Sequence, residues 1–120
     1  MMATFTISTA LRSGTFTSPA VTVPAGVTEI DLTGTLAAGD LANAANTVAI
    51  TIQISHDGGV TWQTRASSAW EGNTVGRAGL VPPNIRIAEA FPGELAGSRM
   101  RGIFTINPAL NIGGLITTIP

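Results

Sequence analysis

The sequence predicts an all-β fold, a single jelly-roll-like β-sandwich of about eight antiparallel strands. Hydrophobic and polar residues alternate with a period of two along most of the chain, and helical periodicity is nearly absent. The strand-like stretches are short, and turn-forming Gly and Pro, 14 and 7 in number, separate them. With 120 residues and no internal boundary, residues 1–120 are expected to form one domain.

The strongest strand pattern lies at residues 47–54. One face of this stretch is apolar throughout and is the predicted core face: Val48, Ile50, Ile52 and Ile54. The other stretches are rich in Thr, Val and Ile, which favour strands. In chain order, the predicted strands are residues 4–9, 15–18, 20–23, 28–32, 47–54, 60–65, 85–88, 99–106 and 112–119.

Two longer segments interrupt the strands. Residues 36–46 are expected to form a helical turn or a loop. Residues 66–84 are expected to form a long connection, and connections longer than about 12–15 residues are commonly functional or disordered. This connection contains Trp70 and Arg77. Trp70 either caps one end of the core, anchors a protein partner or stacks on a sugar.

The low charge of the chain excludes several classes of function. Charged residues make up 11% of the sequence, against about 25% in a typical domain. The net charge of −1 offers no electrostatic attraction for nucleic acid. No apolar run has the length of a membrane span, and the N-terminus lacks the pattern of a signal peptide. We therefore expect a soluble protein that binds neither nucleic acid nor membrane.

No catalytic, cofactor or metal site is expected. The chain has no Cys and no Tyr, so a thiolate nucleophile and a Cys-based metal site are excluded. The only histidine, His56, adjoins Asp57, but adjacency alone does not create a catalytic triad. Glu29 and Asp31 share one face of a strand, where a solvated surface explains them better than a calcium site.

Residues 55–62, with the sequence Ser-His-Asp-Gly-Gly-Val-Thr-Trp, follow the pattern S-x-D-x-G-x-T-W. Ser55 and Asp57 can bind backbone amides across a turn, Gly59 tolerates a positive φ, and Trp62 can pack on the hairpin base. The pattern resembles the Asp box of sialidases and other β-propeller families, where it lies away from the chemistry. The chain has a single box and no tyrosine nucleophile, so we expect a structural hairpin and no sialidase activity.

The strand predicted at residues 99–106 offers a candidate interface. If Met100, Phe104 and Ile106 face the core, then the alternate side chains project outward, and they include an apolar one. They either form an exposed strand face or contact a neighbouring subunit. The nearly uncharged terminal segments 1–9 and 112–120 either lie inside the sheet or pair with a neighbour's sheet. The candidate interface residues are Trp70, Arg77, Arg99, Arg101 and Ile103.

Residues 14–27, 47–62 and 92–106 resemble, in composition and strand order, small all-β virion proteins of tailed phages, especially capsid decoration (cement) proteins. The resemblance implies a non-enzymatic virion protein, assembled in the host cytoplasm, that binds the major capsid protein and braces capsomer contacts. It also implies a homo-oligomer, with a trimer favoured. A surface without Lys and with little charge fits a large permanent contact.

Two alternative functions stay open. The first is a carbohydrate-binding β-sandwich module that uses Trp62 or Trp70 as its sugar platform. The second is a tail- or baseplate-associated structural subunit, which differs from a decoration protein only in its location.

Overall fold

A computed structural model describes residues 3–72 and 82–120, and this part of the chain forms seven antiparallel strands and one short helix. The all-β fold predicted from the alternation is therefore confirmed. The elements in chain order are β1 (Ala3–Thr17), β2 (Val21–Thr22), β3 (Glu29–Thr35), α1 (Ala38–Leu41), β4 (Thr47–Ser55), β5 (Gln63–Glu71), β6 (Asn84–Ala88) and β7 (Arg99–Ile119).

The long strand β7 organises the sheet. Its first half pairs with β4 and its second half pairs with β3, while β1 and β2 pair with its other side. β5 continues the sheet beyond β4, and β6 continues it beyond β3. We call β5, β4 and the adjoining parts of β7 and β1 the front half-sheet, and β6, β3 and their neighbours the back half-sheet. The two half-sheets fold over one another until β5 contacts β6.

The hydrophobic core lies between the two half-sheets. All four apolar residues predicted for the core face of β4 are buried, at no more than 1% exposed. β3 contributes Ile30 and Leu32 from the opposite side, and Phe104 of β7 lies among them. Since side chains alternate along a strand, the outward residues of β4 and β7 are left on the front surface.

The strand number differs from the prediction because two pairs of predicted strands are continuous. Residues 4–9 and 15–18 belong to β1, and residues 99–106 and 112–119 belong to β7. Pro108 does not end β7, because it lies where the pairing shifts between Arg12–Leu110 and Gly14–Ile106. A bulge of this kind tolerates the missing N–H of proline.

The second strand of the central hairpin also differs from the prediction. It runs from Gln63 to Glu71, whereas residues 60–65 were expected, because the turn of the hairpin occupies the positions before it. Trp70 therefore lies on a strand and not in a long connection. Arg77 lies outside the described residues. Within the described ranges no helix has the length and apolarity to cross a membrane.

Candidate functional site

The hairpin between β4 and β5 is closed by the side chains of Ser55 and Asp57. The Ser55 hydroxyl donates to Asp57 Oδ1 (2.7 Å) and accepts from the Gly59 N–H (2.8 Å). The Asp57 carboxylate accepts from the N–H groups of Val60 (3.1 Å) and Thr61 (2.9 Å) and from the Thr61 hydroxyl (2.5 Å). These bonds replace the ladder bonds that the turn cannot make.

The same hydrogen bonds stabilise the charged form of Asp57. The Thr61 hydroxyl, the Thr61 N–H and then the Ser55 hydroxyl lower the pKa of Asp57 from 3.8 to about 2. A carboxylate with so low a pKa is a poor general base near neutral pH. Asp57 is therefore suited to holding the turn and not to activating its neighbour His56.

Trp62 and the two arginines of β7 lie together beside this hairpin. The half-buried Trp62 donates its indole N–H to the Gly59 carbonyl (3.1 Å). The Arg101 guanidinium lies 4.1 Å from the centroid of the Trp62 ring. Arg99 donates to the Gly58 carbonyl (3.3 Å). Because Arg101 covers one face of the ring, Trp62 is a poor platform for a sugar.

The outer surface of the front half-sheet, which we call the front face, is nearly free of charge at its centre. Its outward side chains form two rows across the strands, Ser67–Thr51–Ile103–Thr17 and Ala69–Ala49–Thr105–Thr15. The back half-sheet differs, because Arg86 pairs there with Glu29 (2.9 Å) and Asp31 (3.4 Å). Arg86 thus compensates one of the two negative charges of the strand-face acids within the back half-sheet.

A groove of about 380 Å³ lies at one end of the front face. Its floor is a row of small side chains, which includes Ala49 and Ala69, and its rim is the adjacent polar row Glu71–Thr47–Asn107. We call it the Trp70 groove, after the largest residue in its lining. It lies on three neighbouring strands: β5, β4 and β7.

Trp70 is half-buried, because it opposes the buried Val48 and packs against the core. Its side chain therefore lies on the core side of β5, on the face opposite the outward side chains of Ala69 and Glu71. Within the described ranges, no hydrogen bond engages the exposed Glu71 carboxylate or the side-chain amide of Asn107. The groove therefore combines an apolar floor of small side chains with one acceptor group and one group that both donates and accepts.

The candidate residues from the sequence fall into two places. Arg99, Arg101 and Trp62 gather at the Asp-box end of the front side, whereas Trp70 lies in the groove. Ile103 lies half-buried on the front face between them. Over residues 3–72 and 82–120, no group of three or more His, Asp or Glu side chains could hold a metal ion.

The sequence reasoning missed Thr47, Glu71 and Asn107 as site residues. Their alignment in one row depends on the registers of β4 with β5 and with β7, and these registers were not predicted. The available clue was the pair of small outward residues, Ala49 and Ala69, beside a tryptophan. Small residues between larger ones create a depression in a sheet surface.

Comparison with known proteins finds no matching family model and no matching curated protein. Among solved structures, the chain is similar to TmCBM61, whose structure is in complex with beta-1,4-galactotriose. The TM-score is 0.42 and the sequence identity is 16%. The alignment covers 92% of this chain and spans 66% of the length of that chain.

Proposed function

We propose that this protein is a non-catalytic binding domain and that its Trp70 groove takes a neutral carbohydrate. The observation that supports this proposal is a groove with an apolar floor of small side chains, Ala49 and Ala69, beside the exposed polar groups of Glu71 and Asn107. A sugar ring has an apolar C–H face that can pack on such a floor, and hydroxyl groups at its edge that donate and accept hydrogen bonds.

The size and stiffness of the groove suit a short oligosaccharide segment. Its volume of about 380 Å³ falls near the lower end of the range of about 300–1,000 Å³ for small-molecule sites. The lining residues lie on β4, β5 and β7, so the strand pairing holds their positions before the ligand arrives. Such preorganisation reduces the entropy lost on binding.

The carboxylates present support binding without hydrolysis. Glycoside hydrolases commonly use a pair of carboxylates on either side of the scissile bond. Glu71 is the only carboxylate among the described residues that line the groove. In this proposal Glu71 accepts hydrogen bonds from sugar hydroxyls, and no cleavage takes place.

The proposal is tested with an array of neutral oligosaccharides, followed by calorimetric titration of the glycans that bind. Replacing Asn107→Ala or Glu71→Gln removes hydrogen-bonding capacity at exposed positions and should weaken binding about fivefold to tenfold. Asn111→Ala, at an exposed position of the same strand outside the groove, is the matched control. If the wild-type protein binds no glycan, or if the groove variants bind as the control does, the carbohydrate proposal is wrong.

The front face favours a second candidate function. We propose that the protein is a structural component of a virion and that its front face binds the major capsid protein or a tail or baseplate component. The nearly uncharged rows of small side chains around Ile103 suit a permanent protein contact. Arg99 and Arg101 lie on the same side, at positions where they could pair with acidic groups of a partner or a second copy.

Quantitative mass spectrometry of purified phage particles tests this second candidate. The protein should occur at a copy number close to that of a capsid or tail component. Ile103→Asp should reduce incorporation, because it introduces a charge into the contact, whereas Thr117→Asp on the back half-sheet should not. Absence of the protein from particles would exclude the virion role and leave the carbohydrate proposal unaffected.

A further inference from the structure

A second pocket lies on the opposite edge of the molecule, along β1. Its volume is about 320 Å³. β1 shifts its register against β7 twice, between Ile7 and Ala10 and between Arg12 and Gly14, and such bulges bend a strand. The pocket follows this bent stretch, and we call it the Arg12 pocket. Its lining includes Ile7, Ser8, Arg12, Phe16, Thr17 and Pro19.

The guanidinium of Arg12 is held firmly in this pocket. Its Nη1 donates to the carbonyl oxygens of Ser8 (2.9 Å) and Ile112. The guanidinium carbon lies 3.9 Å from the centroid of the Phe16 ring, which packs against the core. Stacking and two hydrogen bonds together fix the orientation of the side chain, so little further entropy is lost when a ligand binds it.

The charge of Arg12 is not compensated within the described ranges. Arg65 pairs with Glu94, and Arg86 pairs with two acids, but no carboxylate lies within ion-pair distance of Arg12. The contacts with Ser8 and Ile112 use one nitrogen of the guanidinium, which has five N–H donors in all. A carboxylate is the group that best matches the remaining donors in geometry and charge.

The outer edge of β1 can supply the rest of a binding site. In the part of the chain that the structure describes, β1 pairs with β7 alone, so the other edge of this 15-residue strand has no strand partner. It carries neither Lys nor Pro, the residues that commonly block pairing at an edge. Leu11, 67% exposed, adds an apolar side chain to the same strand.

We propose that the edge of β1 and the Arg12 pocket together bind an extended, acidic segment of a protein partner. The segment adds a strand beside β1 through backbone hydrogen bonds, and one of its Glu or Asp side chains binds Arg12. An apolar residue two positions from that acid, and so on the same face of the added strand, packs beside Phe16 and Ile7. The surface is separate from the Trp70 groove, so this proposal does not depend on carbohydrate binding.

The test uses two blocked pentapeptides, acetyl-Val-Thr-Glu-Thr-Val-amide and its counterpart with Gln in place of Glu, in which Val and Glu share one face of the extended chain. Backbone amide shifts of the ¹⁵N-labelled protein, followed by NMR during titration, give both the location and the affinity of binding. The Glu peptide should shift amides of Ala3–Thr17 and bind about fivefold more tightly than the Gln peptide, as expected of a partly exposed ion pair. Sodium propionate should bind more weakly than the Glu peptide, because it lacks a backbone.

Three variants assign the preference to Arg12. Arg12→Gln should abolish the preference for the Glu peptide, and Arg12→Lys should retain part of it. Arg86→Gln, on the back half-sheet, should retain all of it. Because Arg12 also contacts Ser8 and Ile112, thermal unfolding first checks that each variant folds. If Arg12→Gln does not fold, salt takes its place, and the preference of the wild type should fall as NaCl rises from about 0.05 to 0.5 M.

The proposal is overturned by any of four results. These are equal affinity for the two peptides, no binding of either at several millimolar, shifts that map away from β1, and propionate binding as strongly as the Glu peptide. The last result would indicate a site for small carboxylates and not for a protein segment. None of these results bears on glycan binding at the Trp70 groove.

Discussion

Ser55→Ala is the most informative perturbation of the hairpin. Ser55 is 1% exposed. Its hydroxyl donates to Asp57 Oδ1 (2.7 Å) and accepts from the N–H groups of Gly59 (2.8 Å) and, at a longer distance, Asp57 (3.4 Å). At about 0.5–1.5 kcal/mol for each of the two shorter bonds, the variant should lose about 1–3 kcal/mol of unfolding free energy. With a urea m value of about 2 kcal/mol/M, the unfolding midpoint should fall by about 1 M.

The same variant should change the titration of the Asp57 carboxyl group. The Ser55 hydroxyl is one of the donors that lower the pKa of Asp57, so its removal should raise that pKa from about 2 towards 3.8. Carboxyl ¹³C shifts recorded against pH measure this change directly. Ser68→Ala, at an exposed position on β5, is the control. A midpoint equal to that of the control, together with an unchanged pKa, would refute the role assigned to Ser55.

Three further predictions concern stability. The pKa of Asp57 is lower in the folded state than in the unfolded state. Its contribution to the free energy of unfolding should therefore be complete above about pH 4, the pKa of an unfolded Asp, and should be lost as the pH falls towards 2. The urea midpoint should fall less at low pH in Asp57→Asn than in the wild type. Trp62→Ala should cost about 2 kcal/mol, less than the 3–5 kcal/mol of a core tryptophan, because the ring is half-buried; a loss above 4 kcal/mol in urea unfolding would contradict this. Gly102→Ala should lower the unfolding free energy by about 1–3 kcal/mol, because the new Cβ would lie 2.8 Å from Leu32 Cδ2 and 3.2 Å from Phe104 Cε1. An unchanged thermal midpoint would show that these two side chains can move aside without loss of stability.

Local pattern was sufficient to predict much of the fold. The alternation around Ile50 and Ile52 predicted β4 to within one residue, because a half-buried strand has a strict period of two. The Asp-box pattern predicted a turn closed by Ser55 and Asp57, because both side chains act on neighbouring backbone atoms. The parity of β7 placed Arg99 and Arg101 on one side of the sheet.

Features that depend on pairing between distant segments were not predicted. Pro108 is usually a turn residue, and only the register of β1 against β7 shows that a bulge accommodates it. The Trp70 groove depends on the alignment of Glu71, Thr47 and Asn107 across three strands. The Arg12 pocket depends on two bulges in β1, and no residue pattern in that segment specified them.

The central position of β7 has a consequence for synthesis of the chain on the ribosome. β1, β2, β3 and β4 all take β7 as a partner, and Ala3 pairs with Thr118. Until residues 99–119 have left the exit tunnel, these strands lack the neighbour that joins them. The β4–β5 and β3–β6 pairs can form earlier, but the sheet that joins them to β1 and β2 can assemble only after β7 emerges.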